Sequence, residues 1–199
     1  MENDPFFDIN DTSHLIWSTK LPHWHQDGKY VFVTFRLGDS LPQVLLDEYR
    51  ADKETWIKTH PKPWTPVQEK EYYDKYVKVV DKWLDSNYGS CLLREESNRK
   101  IVENALHYYD GKKYDLLAFV VMPNHVHVLL QLFADENIVT IFRSIKSFSA
   151  KLINKQEHTT GRVWQSESYD RLIRDVDHLK HVFRYIYLNN PRLAWIKAL

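Results

Sequence analysis

Two apolar runs in the middle of the sequence, residues 114–121 and 125–132, are rich in Val, Leu and Phe and are separated only by Met122-Pro123-Asn124. That spacing predicts an antiparallel hairpin. Earlier, Tyr30-Val31-Phe32-Val33-Thr34-Phe35-Arg36 is β-branched and aromatic between Asp27-Gly28 and Gly38-Asp39-Ser40, which predicts a strand buried on both faces. A helix is expected from Ser40 to about residue 53, and Pro61, Pro63 and Pro66 mark a loop. Tyr72, Tyr73, Tyr76, Val79, Val80 and Trp83 recur at helical spacing, predicting an amphipathic helix over 66–84. Further helices fit 97–109, with Ser97 as N-cap, then 138–155 and 176–188, the last closed by Pro191. A strand fits 169–174. Strand, helix, hairpin, helix, strand is the split βαβ order of an α+β, ferredoxin-like antiparallel sheet with helices on one face. One helix is inserted early and one is appended at the C-terminal end. The expectation is a single domain over 1–199 with a helical insertion at about 52–85.

The chain has 199 residues, with 27 Lys plus Arg against 27 Asp plus Glu. Zero formal charge argues against a uniformly basic nucleic-acid coat. The charge is polarised, however: residues 141–199 hold eleven basic against five acidic side chains, a surplus of +6, and residues 1–140 carry the opposite imbalance. Cys91 is the sole cysteine, so no intrachain disulfide can form. The acidic start at Met1-Glu2-Asn3-Asp4 lacks the features of a signal peptide, and no apolar run reaches the ~18 residues of a membrane span. A cytoplasmic protein with no membrane partner is expected.

The candidate chemistry lies on the second strand of the hairpin. Alternation along a strand sends His125 and His127 to one face, their Cα atoms ~6.6 Å apart, while Val126, Val128 and Leu130 face the other. Two imidazoles at that separation can share a divalent cation. The competing reading is a chance pair filling a core.

Met122-Pro123-Asn124-His125-Val126-His127-Val128-Leu129, preceded by Tyr114-Asp115-Leu116-Leu117-Ala118-Phe119-Val120-Val121, resembles the histidine–hydrophobic–histidine motif of HUH-type single-strand transposases. The resemblance is to the REP-associated tyrosine transposases and their insertion-sequence-200-like relatives. The first strand with Ser40-Leu41-Pro42 is similar to theirs. So are Gly161-Arg162-Val163-Trp164-Gln165, Tyr169-Asp170-Arg171-Leu172-Ile173-Arg174-Asp175, His178-Leu179 and Arg184-Tyr185-Ile186, in the same order. The resemblance implies a metal-dependent single-stranded DNA endonuclease and strand transferase that cleaves beside DNA hairpins, such as REP-like palindromes, through a 5′-phosphotyrosine. Tyr185 stands at the nucleophile position. Phenol is a weak nucleophile at its ordinary pKa of ~10, so it requires activation and a phosphate whose developing charge is stabilised. His125, His127 and Asn189 stand at the ligand positions, a donor set suited to Mg or Mn. Tyr185 and Asn189 are four residues apart and share a helix face.

The family pattern has its proline directly after the ligand asparagine. Here one extra residue intervenes, Asn189-Asn190-Pro191, so Asn190 competes with Asn189. Tyr187 competes with Tyr185, but four residues beyond it stands Pro191, which has no ligand atom. For DNA contact the candidates are Arg143, Lys146, Lys151, Arg162, Trp164, Gln165, Arg171 and Arg174, with Trp164 a platform for an unpaired base. The alternative reading of the whole is a non-catalytic hairpin-binding module, favoured by the altered Asn-Asn-Pro end and by the short stretch after it, where the family commonly continues. A phosphoesterase with paired catalytic histidines would need a second histidine motif, which the sequence lacks. A monomer is expected, with a dimer as the alternative.

Overall fold

The computed structural model describes residues 4–8, 15–17, 22–24 and 26–197. The chain divides into two compact units, one built from residues 1–38 and 92–199 and the other from 39–91. In the first, β1 (Leu15–Trp17) and β2 (Pro22–Trp24) form a small antiparallel ribbon. The main sheet contains β3 (Tyr30–Arg36), β4 (Tyr114–Val121), β5 (His125–Leu132), β6 (Tyr169–Leu172) and β7 (Trp195–Ile196). Its spatial order is β6-β3-β5-β4-β7, and every pairing is antiparallel. The first four are the ferredoxin-like arrangement that the element order predicts. The two-residue β7 lies outside the expected set. It pairs with β4, and Trp195 stacks on Phe119 with ring centroids 5.3 Å apart.

The pleat divides the sheet into two apolar faces. Val31, Val33 and Phe35 join Val126, Val128 and Leu130 on one face, covered by α4 (Glu96–Tyr109) and α5 (Ile138–Gln156). Phe32, Leu129, Ala118 and Val120 face the other way and meet Val182 and Ile186 of α6 (Val176–Asn189). A register shift between Leu116 and Ala118 gives β4 a bulge near its middle. The predicted cap of α4 is corrected. The helix starts at Glu96 after Glu95, and the Ser97 hydroxyl instead accepts from Gln156 Nε2 at 2.7 Å, binding α4 to α5. By contrast, Asn137 caps α5 by accepting from the Thr140 N–H at 3.0 Å.

The second unit is helical: α1 (Gln43–Thr59), α2 (Pro66–Tyr72), a π-helical turn (Tyr73–Val77) and α3 (Lys78–Asp85). α1 starts after Pro42 rather than at Ser40 and runs past the expected end near residue 53. Its last two turns are held by Trp56, which is buried, packs against Trp64, Tyr72 and Tyr76, and donates its indole N–H to Glu71. The segment predicted as one helix over 66–84 is helical throughout but passes through the π turn. No helix among the described residues is long and apolar enough to cross a membrane.

Phe35 is 1% exposed and lies between Phe142 and Trp164, with centroids 5.5 and 4.9 Å away. Phe35→Ala is expected to cost about 3–5 kcal/mol of stability. Denaturant unfolding checks this; a loss below about 1 kcal/mol would show that the site collapses around the cavity or that the ring is not packed between its two neighbours.

Candidate active site on the second face of the sheet

β5 sets the site because both of its histidines lie on the face that α6 covers. Antiparallel pairing places His127 opposite Thr34 and His125 opposite Arg36 on β3. Both imidazoles are fully buried. His125 Nδ1 lies 2.7 Å from Asn124 Oδ1, and His127 Nδ1 lies 2.8 Å from the Thr34 hydroxyl. The two Nε2 atoms face each other at 3.1 Å. Phe32 stacks on the His127 ring, its centroid 5.4 Å away.

α6 brings the tyrosine to this pair. Asp175 caps the helix by accepting from the His178 N–H at 2.7 Å. Leu179, Val182, Phe183 and Ile186, at i, i+3, i+4 and i+7, form the stripe that packs on the sheet. Tyr185 sits at the edge of that stripe, with its hydroxyl 3.3 Å from His127 Nε2 and its ring edge-on to both Phe32 and His127. Tyr187 is two residues further round the helix and 49% exposed. The structure therefore places Tyr185, and not Tyr187, at the histidines. Asn189 is the last helical residue, half-buried, and its Nδ2 has no hydrogen-bond partner. Asn190 lies beyond the helix in extended backbone, with its side-chain oxygen accepting from the Arg192 N–H at 3.3 Å.

Burial removes the solvation that an imidazolium needs, and so lowers both histidine pKa values. His125 falls to about 3. His127 falls well below its usual range, through burial first and then through the charges of His125 and Arg171. Neutral imidazoles offer lone pairs, as metal ligands must. Two donors at adjacent corners of an octahedral ion, each about 2.1 Å from it, lie about 3.0 Å apart, close to the observed Nε2 separation. Among the described residues no three His, Cys, Asp or Glu side chains converge on one point, so further donors would be amide or solvent oxygens. Asn189 fits that need. Its amide nitrogen makes no hydrogen bond that would be lost if the carboxamide turned to present its oxygen.

The cationic candidates separate by face. Arg171 pairs with Phe32 across the β3–β6 ladder, and its guanidinium lies 5.2 Å above the Phe32 ring, beside the histidines. Arg174 is exposed in the segment leading to α6. Arg143 and Lys151 are exposed on α5, which packs on the opposite side of the sheet, and Arg162 is exposed in the loop that follows. Gln165 is half-buried, its N–H donating to the Arg36 carbonyl at 2.9 Å. Two expectations are corrected. Trp164 is a core residue, 4% exposed, with its indole N–H donating to Ser149 Oγ at 2.9 Å, so neither ring face is open to a base. Lys146 is buried, and its ammonium donates to the carbonyls of Gln165 and Ser166 at 3.3 and 2.7 Å. Its pKa falls to about 8, chiefly through burial. It ties a loop rather than presenting a free charge.

Thr34, Asn124 and Phe32 complete the surroundings of the histidines and were not singled out from the sequence. Thr34 could be found only from strand register, whereas Asn124 adjoins His125 in the chain and is itself fully buried.

Because the folded pKa values of His125 and His127 lie below the unfolded value near 6.5, the unfolded state binds more protons in between. Stability tied to the pair is complete above about pH 6.5 and is lost as pH falls toward 3. Urea titrations across that range are expected to show a steeper acid loss for the natural sequence than for His125→Gln. Equal slopes would mean the imidazole is not held neutral.

The family model described as "Transposase IS200 like" matches residues 83–189. A REP-associated tyrosine transposase from Escherichia coli K12 is 27% identical over 89 residues, covering 43% of this chain and 50% of that protein. A Haemophilus influenzae relative carrying the same family name is 26% identical over 95 residues, covering 43% of this chain and 54% of the relative. The chain thus spans about half the length of the curated relatives it matches. A solved structure of a REP-associated tyrosine transposase bound to a REP hairpin aligns with a TM-score of 0.46 at 17% identity, over 88% of this chain and 74% of that one. The matched span exceeds half of the sequence and contains His125, His127, Tyr185 and Asn189, and the chain belongs to the IS200-like transposase family.

Proposed function

We propose that this protein is a divalent-metal-dependent endonuclease and strand transferase acting on single-stranded DNA beside a hairpin, of the repetitive palindrome kind, through a covalent bond to Tyr185. One observation carries the reading: a tyrosine hydroxyl 3.3 Å from a buried, neutral histidine whose Nε2 lies 3.1 Å from that of a second. Membership of a transposase family and the REP-associated names of its relatives support the substrate class.

In this reading His125, His127 and Asn189 would hold Mg or Mn. That cation would supply Lewis-acid neutralisation of charge on the scissile phosphate. Tyr185 Oη attacks phosphorus in line with the departing 3′ oxygen. A phosphotyrosine bond forms to the 5′ side, the P–O3′ bond breaks, and the proton lost from the phenol is balanced by the one the 3′ oxygen gains. His127 is assigned as a ligand rather than as the base, since burial holds its pKa below the ordinary value and its one Nε2 lone pair would go to the cation. Its Nε2 has one lone pair, so it holds the Tyr185 hydroxyl only while that pair is uncommitted. Arg171, on the same face, is placed to attract the DNA backbone toward the site.

Incubation with a hairpin oligonucleotide carrying a single-stranded flank, in the presence of Mn, is expected to give a protein–DNA adduct that survives denaturant. Tyr185→Phe is expected to abolish the adduct and Tyr187→Phe to preserve it. An adduct that persists in Tyr185→Phe would sink the assignment. Tight, salt-sensitive hairpin binding with no adduct under any metal would make the protein a binding module instead.

The cations give a second expectation. Arg171→Ala and Arg174→Ala should weaken binding and reduce the slope of log affinity against log salt by about 1 for each phosphate left unneutralised. Lys146→Met should leave that slope unchanged and alter thermal stability. A slope change for Lys146→Met equal to that of Arg171→Ala would show that the buried ammonium reaches DNA.

A further inference from the structure

The two histidines are oriented from behind, through the ring nitrogens that face away from each other, by Asn124 and Thr34. Each ring has two nitrogens, and only a nitrogen without a proton can bind a cation. Which nitrogen carries the proton is therefore decided at Nδ1, the atom turned away from the pair. At His125 the Nδ1 partner is the Asn124 side-chain oxygen at 2.7 Å, which can only accept. At His127 the partner is the Thr34 hydroxyl at 2.8 Å, which can accept or donate. Tyr185 Oη, 3.3 Å from His127 Nε2, can donate to that nitrogen only if it carries no proton.

We infer that Thr34, together with Asn124, is a positioning residue that accepts from the Nδ1–H of its histidine and so leaves both Nε2 atoms, 3.1 Å apart, without a proton and open to a cation. The cost of facing two lone pairs in an apolar surround is offset on one side by the Tyr185 hydroxyl and on the other by the fixed Nδ1–H bonds. Both anchors are built into the fold. Asn124 sits in the hairpin turn, fully buried, and the Leu37 N–H donates to its carbonyl at 2.9 Å. Thr34 is set opposite His127 by the β3–β5 register, which fixes its Cβ beside the imidazole and puts the hydroxyl within reach of Nδ1. The alternative arrangement has the Thr34 hydroxyl donating to Nδ1 and a proton on His127 Nε2 that bonds to His125. That arrangement would block the pair as a cation site, and only a side chain that can accept at position 34 prevents it. Valine has the shape of threonine without the oxygen, and serine keeps the oxygen.

The inference rests on the reading of the pair as a metal site, but its first readout does not need metal. Nitrogen chemical shifts of the metal-free full chain at pH 7 report the tautomer of each buried ring. The expected result is Nδ1–H at both His125 and His127, conversion of His127 to Nε2–H in Thr34→Val, and return to Nδ1–H in Thr34→Ser. Mn affinity, measured by calorimetry without DNA, is expected to fall by about 10–100-fold in Thr34→Val and to recover in Thr34→Ser. A proton on His127 Nε2 in the natural sequence, or an unchanged tautomer or Mn affinity in Thr34→Val, would overturn the inference. The predicted tautomers in a chain that forms no DNA adduct would leave Thr34 in this role and overturn only the proposed strand transfer.

Discussion

The antiparallel pairing of β3 with β5 is the constraint on which the rest of the site depends. A strand has a period of two, so whatever fixes its register also fixes which side chains share a face. Here Val126, Val128 and Leu130 are committed to the core under α4 and α5, and that commitment leaves His125 and His127 no choice but the opposite face. The same pairing delivers Thr34 and Arg36 beside them. A slip of one residue would bury the histidines among apolar side chains and turn the valines toward α6. The hydrophobic core and the candidate metal site are in this sense two results of one register.

The second face is closed by a helix whose packing stripe stops just short of the tyrosine. Val182 and Ile186 dock α6 on Phe32, Leu129 and Val120, and the helical repeat then sets Tyr185 at the margin of the contact with Asn189 one turn beyond. Apolar cover has an electrostatic effect as well. Removing water from the imidazoles keeps them neutral at any physiological pH, which suits them to hold a cation and unsuits them to move protons. Arg171 adds a fixed positive charge at the edge of the same surface, while Arg143 and Lys151 belong to α5 on the far side of the sheet. The basic surplus of the C-terminal third, one block in the sequence, is thus divided between two faces in the fold.

The core strands and the shared face of the histidine pair were legible in the sequence because both follow from short-range patterning. Residues 30–36, 114–121 and 125–132 are strands with the predicted bounds, since β-branched runs between turn signals carry their own ends. The preference for Tyr185 over Tyr187 was legible for a similar reason: spacing to Asn189 follows from the helical repeat. What was not legible depends on packing between residues distant in sequence. Trp164 reads as an aromatic in a basic stretch, and only the fold shows its indole donating to Ser149 within the core. Lys146 reads as one of a row of helix cations, yet its own position on α5 is the buried one, where two carbonyls satisfy it. Thr34 is an ordinary β-branched residue in its strand until register sets it against His127, and β7 is too short to announce itself without β4 to pair with.

In the proposed function His125 and His127 form one cation site addressed by the C-terminal helix. Anomalous diffraction from crystals soaked in Mn tests it most directly. The expected result is a single strong peak within ligand distance of both Nε2 atoms, with the Asn189 carboxamide turned toward it. A chain that takes up Mn elsewhere, or a pair of histidines that keeps its 3.1 Å contact with no peak between them, would contradict it.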